Sequence, residues 1–145
     1  MKTPFDTAMR VQRREIDEMG AAINAQVRRL NEIERAQEYN RCKIADEAAV
    51  AGEGLAMPSY AYMERIRAER SRLAHDSSIQ GARLETLRVA ATEAYGAFRA
   101  VEVAAEAYRE EADRRSANAE QARIDDLSAA AFLNARRLSQ KDDFQ

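Results

Sequence analysis

Few residues in this chain could do chemistry, and they are far apart. There is one histidine, His75, and one cysteine, Cys42. A histidine base needs a nucleophile and an orienting acid within hydrogen-bond reach. A structural zinc site needs about four such ligands. One His and one Cys meet neither requirement, and a single cysteine cannot close an internal disulfide. Gly52-Glu53-Gly54 is too short for a phosphate-cradling loop, which takes a longer glycine fingerprint between a strand and a helix. The acidic neighbours Asp125-Asp126 and Asp142-Asp143 read as helix-surface and tail charge. The expectation is a chain that is not an enzyme, with no catalytic residues, no cofactor and no metal.

The elements that would hold these residues follow from a seven-residue repeat. In the first half its apolar positions are Phe5, Met9, Gln12, Ile16, Met19, Ile23, Gln26, Leu30, Ile33, Gln37, Asn40 and Ile44. In the second they are Met63, Ile66, Arg70, Leu73, Ser77, Gln80, Leu84, Leu87, Ala91, Ala94, Phe98, Val101, Ala105 and Tyr108. Steps of three and four alternate without a slip, as in helices that supercoil along a shared seam. His75 and Cys42 both fall on the outer face of this pattern. Seven seam positions are polar (Gln12, Gln26, Gln37, Asn40, Arg70, Ser77 and Gln80), which weakens packing and can fix register.

The repeat predicts an all-α fold: a long antiparallel two-helix coiled-coil hairpin with a C-terminal helical overhang, as one domain over residues 1–145. Arm one runs from about 4 to 51, the turn from about 52 to 59, and arm two from about 60 to 140. Thr3 can cap the first helix, Pro4 suits its first position, and Asp6 lies where the helix dipole favours acid. Gly52 and Gly54 end it, Pro58 blocks continuation, and Ser59 can cap the second. Folding about residue 55 sets Ile44 against Ile66, Leu30 against Gln80, Gln26 against Leu84 and Gln12 against Phe98. A shift by one heptad would align the seams equally well.

The arms are unequal. With Phe5 opposite Ala105, the chain beyond about residue 106 overhangs. Glu106, Arg109, Glu110, Glu111, Asp113, Arg114 and Arg115 offer opposite charges at helical spacing, each pair worth a few tenths of a kcal/mol. Farther on, Ile124, Leu127, Ala131 and Leu138 form a stripe, with Phe132 and Leu133 beside it. A hairpin of this kind has no pocket, so function is expected at surfaces. One is the hairpin tip and the start of arm two, with Leu55, Met57, Tyr60, Tyr62, Met63 and Ile66. The other is the overhang stripe.

Composition narrows the partners. The formal charge is −2, from 23 basic and 25 acidic residues, and no like-charge block stands out. No field of one sign recruits nucleic acid or a membrane surface. No stretch approaches the ~20 apolar residues of a membrane span, and the N-terminus shows no signal-peptide apolar core. A cytoplasmic protein with protein partners is expected, without membrane insertion.

The layout resembles the FliJ family of flagellar type III export proteins, which are of similar length and built as antiparallel two-helix coiled coils. Three local features carry the resemblance: a first arm opening with Arg, Glu and Ile/Met from Phe5 to Met19, a second arm opening Tyr60-Ala61-Tyr62-Met63-Glu64-Arg65-Ile66, and the ending Arg137-Leu138-Ser139-Gln140-Lys141-Asp142-Asp143-Phe144. The last is the most specific. The resemblance implies a stalk in the pore of a hexameric export ATPase that also touches the cytoplasmic domain of the export gate and handles export chaperones. Carried over by motif, the gate-binding residues would be Tyr62 and Ile66, with Tyr60 and Met63 nearby. Arg67 and Arg70 stand where the family often has apolar residues. The ATPase-facing residues would be Phe5, Met9 and Ile16 on arm one and Ile124, Leu127, Phe132, Leu133 and Leu138 on arm two. The chain would work at the inner-membrane face of the flagellar base and be a monomer in isolation. Two alternatives remain open: a stalk of a virulence-type secretion system, and a self-assembling structural coiled coil that dimerises through the overhang.

Overall fold

A computed structural model describes residues 2–52 and 60–142. They form two helices, α1 (Asp6–Gly52) and α2 (Tyr60–Asp142), with no strand among the described residues. The fold is the expected all-α hairpin. The expected turn residues Gly54, Pro58 and Ser59, and Asp143 and Phe144, lie outside the described residues.

Helix α1 begins as its sequence directs. The Thr3 backbone N–H donates to Asp6 Oδ2 at 3.0 Å, and the Thr3 hydroxyl donates to Asp6 Oδ1. The Asp6 N–H returns to the Thr3 carbonyl at 3.2 Å. This is the carboxylate half of a capping box, with Asp6 three residues after Thr3. Proline is absent from both helices after that start, so nothing interrupts the backbone ladder.

Packing divides the chain into two units: residues 10–98, and the N-terminal residues up to Met9 together with Arg99 onward. In the first unit α1 and α2 run antiparallel, because rising numbers on one meet falling numbers on the other. Arg13 lies over the Phe98 ring at 5.5 Å, Gln26 bonds to Gln80, and Asn40 bonds to Ile66. Ile66, Leu73, Leu84 and Phe98 are its buried apolar residues, with Asn40 and Gln80 buried among them. Every α1 seam position from Gln12 to Ile44 is half-buried or buried. On α2 the exception within this unit is Arg70, which is exposed and borders a groove with Gln37, Asn40 and Leu73. A guanidinium costs too much to bury unpaired, so its stem lies along the seam and its head stays wet.

Two polar contacts reach one seam step from the expected partners, while Arg13 over the Phe98 ring lies beside the expected Gln12–Phe98 pair. Gln26 was expected against Leu84, but its Nε2 donates to the Gln80 carbonyl at 2.9 Å and to Gln80 Oε1 at 2.7 Å. Ile66 was expected opposite Ile44, and its carbonyl accepts from Asn40 Nδ2 at 3.2 Å. Amide side chains seek an acceptor, and the carbonyl one turn away is within reach where an apolar side chain is not.

In the second unit the N-terminal turn packs on α2. Thr3 and Ala105 are buried, and the Phe5 and Tyr108 rings meet edge to face with centroids 6.2 Å apart. Phe5 was expected opposite Ala105, so this contact lies one seam step farther along. Arg109 reaches Asp6 at 3.8 Å across the two segments. Pairing therefore persists past residue 106, and Ala112 is the last half-buried residue. Every residue from Asp113 to Lys141 is exposed.

Candidate interaction surfaces

At the start of α2 the four gate-binding candidates are placed differently. Tyr60 is 79% exposed, Tyr62 and Met63 are half-buried, and Ile66 is only 3% exposed. Ile66 thus belongs to the seam, and its carbonyl is engaged by Asn40. Leu55 and Met57 lie outside the described residues. What this end displays is Tyr60, with the Arg67–Glu64 ion pair at 3.2 Å one to two turns on.

The ATPase-facing candidates also divide. Phe5 and Met9 are half-buried in one unit, and Ile16 is half-buried in the other. Phe5 is spent on Tyr108. Ile124, Leu127, Phe132, Leu133 and Leu138 are all exposed, Leu127 at 71%. They sit on a lone helix roughly 40 Å long from Asp113 onward, at ~1.5 Å per residue.

On that helix the apolar stripe changes face. Ala105 and Ala112 continue the seam, whose next positions are Arg115, Ala119, Ala122 and Asp126. Ile124, Leu127, Ala131 and Leu138 instead lie roughly 150° around the helix at ~100° per residue. Phe132 flanks this stripe, and Leu133 falls behind it among the charges. The stripe is therefore a second face, distinct from the one that packs on the N-terminal turn.

The charges change as well. Near the packed part, Arg99 pairs with Glu102, and Glu111 holds both Arg114 at 3.7 Å and Arg115 at 3.4 Å. Arg109 pairs with Asp6 instead of with its own helix. Beyond Asp126 the pattern stops. Arg136 and Arg137 have no acid three or four residues away in either direction. Asp125 accepts from Gln121 at 2.8 Å. Asp125 and Asp126 are both exposed, in keeping with their reading as helix-surface charge.

Among the described residues His75 and Cys42 stay far from each other, on separate helices. His75 and Cys42 are exposed, and Cys42 Sγ has Glu38 Oε1 at 3.8 Å as its neighbour. Among the described residues no three of His, Cys, Asp and Glu cluster as metal ligands. The groove beside Asn40, about 320 Å³, is bordered by Arg41, which pairs with Glu38 at 3.0 Å, and by the exposed Arg70. A second, about 540 Å³, is lined by Ile79, Ala82 and Thr86. The Thr86 hydroxyl donates to the Ala82 carbonyl at 3.1 Å. Among the described residues one titratable group is clearly shifted. The two hydrogen bonds from Thr3, helped by Arg109, hold the Asp6 carboxyl below its ordinary value. No described helix is long and apolar enough to cross a membrane.

No protein-family model matches this chain, and neither a curated protein nor a solved structure matches it.

Proposed function

We propose that this chain is a stalk-like coiled coil of the flagellar type III export apparatus. It binds a hexameric export ATPase and the cytoplasmic domain of the export gate, and it helps deliver chaperoned substrates during flagellum assembly. The observation that carries this reading is the exposed helix from Asp113 to Lys141, with its own apolar stripe. A single helix with apolar side chains facing water suits docking into a groove of another protein. Ile124, Leu127 and Leu138 are its ATPase-facing contacts, with Phe132 at the flank. Tyr60 is the anchor offered to the gate, supported by Tyr62 and Met63 at the margin of the seam. The chain works in the cytoplasm, held at the inner membrane through its partners. Its part in motility is that of a binding protein, without turnover of its own. The resemblance of the Tyr60–Ile66 and Arg137–Phe144 segments to FliJ proteins supplies the flagellar setting.

The test is capture from lysate on the immobilised full chain, with Leu127→Glu/Phe132→Glu and Tyr60→Ala alongside. The reading expects a hexameric ATPase and an export-gate protein on the wild-type chain. The first variant should lose the ATPase, and the second should lose the gate protein. Wild-type chain that retrieves neither protein overturns it.

A further inference from the structure

We propose that the hairpin of residues 10–98 has a second register, reached when α1 slides along α2 by one heptad toward higher α2 numbers. This does not rest on the export reading. In the structure the polar seam residues are poorly matched across the two helices. Gln12 Oε1 is buried with no hydrogen-bond partner. Asn40 reaches a backbone carbonyl, that of Ile66, instead of a side chain. Gln37, Asn40 and Ile44 leave a groove of about 320 Å³ against Arg70 and Leu73. Arg13 over the Phe98 ring marks the layer in which Gln12 stands opposite Phe98. Counting by heptads from there puts Leu30 opposite Gln80, Ile33 opposite Ser77 and Gln37 opposite Leu73, so polar positions stand against apolar ones. Glu47 is half-buried at the seam position after Ile44, and Arg70 is exposed. Among the described residues neither has an ion-pair partner.

Moving α1 by one heptad, about 10 Å at ~1.5 Å per residue, re-sorts every layer. Polar then meets polar: Glu47 faces Arg70, Asn40 faces Ser77 and Gln37 faces Gln80. Apolar meets apolar: Ile44 faces Leu73, Ile33 faces Leu84, and Leu30 faces Leu87. Met19 replaces Gln12 opposite Phe98, and Gln26 falls opposite the small Ala91. A seam amide gains more from a donor or acceptor across the layer than from a leucine. The slide keeps both apolar faces in phase, because a heptad step preserves the seam.

The same residues oppose the reverse slide, which would set Ile33 on Arg70, Ile23 on Gln80 and Gln37 on Ile66. The forward slide has its own cost. It breaks the Gln26–Gln80 and Asn40–Ile66 hydrogen bonds and leaves Ile66 facing Ala51 instead of Ile44. Gains and losses offset, so the two registers exchange. Residues 53–59 are long enough as a chain, at up to ~3.3 Å each, to follow a displacement of about 10 Å. Because α1 is one helix from Asp6 to Gly52, the slide carries its start along. In the N-terminal unit Phe5 passes from Tyr108 to the small Ala112, and Met9 takes its place at Tyr108. A partner that binds one register better draws α1 into it.

The test is disulfide trapping in the full chain carrying Cys42→Ser, with helicity checked by circular dichroism. Ile16→Cys/Ala94→Cys closes in the register of the structure, and Ile23→Cys/Ala94→Cys closes in the second. Each removes one isoleucine and the same alanine. Both should cross-link within the monomer in a glutathione redox buffer, whereas Leu30→Cys/Ala94→Cys, a further heptad off, should not. Glu47→Arg sets like charges together at Arg70 in the second register alone. It should lower the Ile23→Cys/Ala94→Cys yield roughly fivefold and spare the Ile16→Cys/Ala94→Cys yield. Spin labels on Cys42 and on Val89→Cys, both exposed sites, read the same exchange with the seam untouched. They should show two separations, the shorter belonging to the second register. If a cysteine pair lowers helicity, the label separations decide. A chain that closes only one of the two pairs, or neither, overturns the proposal. So does a single label separation, a Leu30→Cys/Ala94→Cys pair that closes as readily as the others, or an Ile23→Cys/Ala94→Cys yield indifferent to Glu47→Arg.

Discussion

Asn40 donates its side-chain amide to the backbone carbonyl of Ile66 at 3.2 Å, from a position that is 2% exposed. This bond ties the two helices at a defined offset, because the carbonyl is fixed in α2 and the Asn side chain is short. Asn40→Asp replaces the donor with an acceptor that faces another acceptor in a buried place. The cost should be about 1–3 kcal/mol at neutral pH. Burial raises the new carboxyl's pKa, so the deficit should shrink as the solution is acidified and the group regains a proton. Urea denaturation followed at 222 nm at pH 7 and pH 4.5 measures both effects.

Gln26 and Gln80 form a second link. Replacing Gln26 alone by Leu leaves Gln80 Oε1 buried without its donor, whereas replacing both by Leu removes donor and acceptor together. The double variant should therefore be more stable than Gln26→Leu alone, with a coupling of about 0.5–1.5 kcal/mol in a double-mutant cycle. Equal and additive losses would show that the pair does not interact.

The seam and the exposed stripe should respond differently to the same truncation. Leu84 is 7% exposed, so Leu84→Ala should cost about 2–5 kcal/mol. Leu127→Ala removes the same atoms from an exposed site and should change the monomer's unfolding by less than about 0.5 kcal/mol. Denaturant curves at a concentration where the chain is monomeric compare the two.

Asp6 should give the N-terminal turn a pH dependence. Its folded-state pKa lies below the ordinary 3.8. Its contribution is therefore present above about pH 4 and lost as pH falls through the lowered folded value. Asp6→Asn should lower the melting temperature at pH 7, and the gap from wild type should close as pH drops below 4. A gap that stays constant with pH would mean that the carboxylate charge is not what stabilises the turn.

Gly20 and Gly96 lie inside α1 and α2, and a methyl added to either would meet nothing within 4 Å. No close approach within the chain requires these glycines. Gly20→Ala and Gly96→Ala should each stabilise by about 0.5–1 kcal/mol, read as a rise in melting temperature.

The repeat made the seam legible residue by residue. All twelve α1 positions came out half-buried or buried. On α2 only Arg70 and Tyr108 are exposed among the fourteen. Arg70 carries a charge that must reach water, and Tyr108 meets a helix that is only beginning, with the Phe5 ring edge-on to it. The offset between arms was less legible, because heptads fix the phase of a helix and leave sliding by a turn nearly degenerate. Gln26 and Asn40 bond to acceptors on α2 one seam step from their expected partners, which composition cannot place. Among the surface candidates, exposure distinguishes Tyr60 from Ile66, though both fit one motif. Periodicity around Ile66 already placed it in the seam, whereas Tyr60 precedes the first seam residue.

The single-helix stretch after Ala112 has a consequence for protease attack and amide exchange. In the residue 10–98 unit, opening a turn means breaking the packing of two helices. Past Ala112 it costs only the helix's own hydrogen bonds, a modest cooperative barrier. Trypsin should therefore cut first at Arg114, Arg115, Arg123, Arg136 and Arg137, trimming the chain from that end before it reaches Arg83 or Arg88. Backbone amides from Asp113 onward should take up deuterium well before those near Leu73 and Leu84. Any molecule that seats on the stripe, whether a second copy or a ring of another protein, would then leave its footprint as a block of slowed exchange between residues 120 and 141.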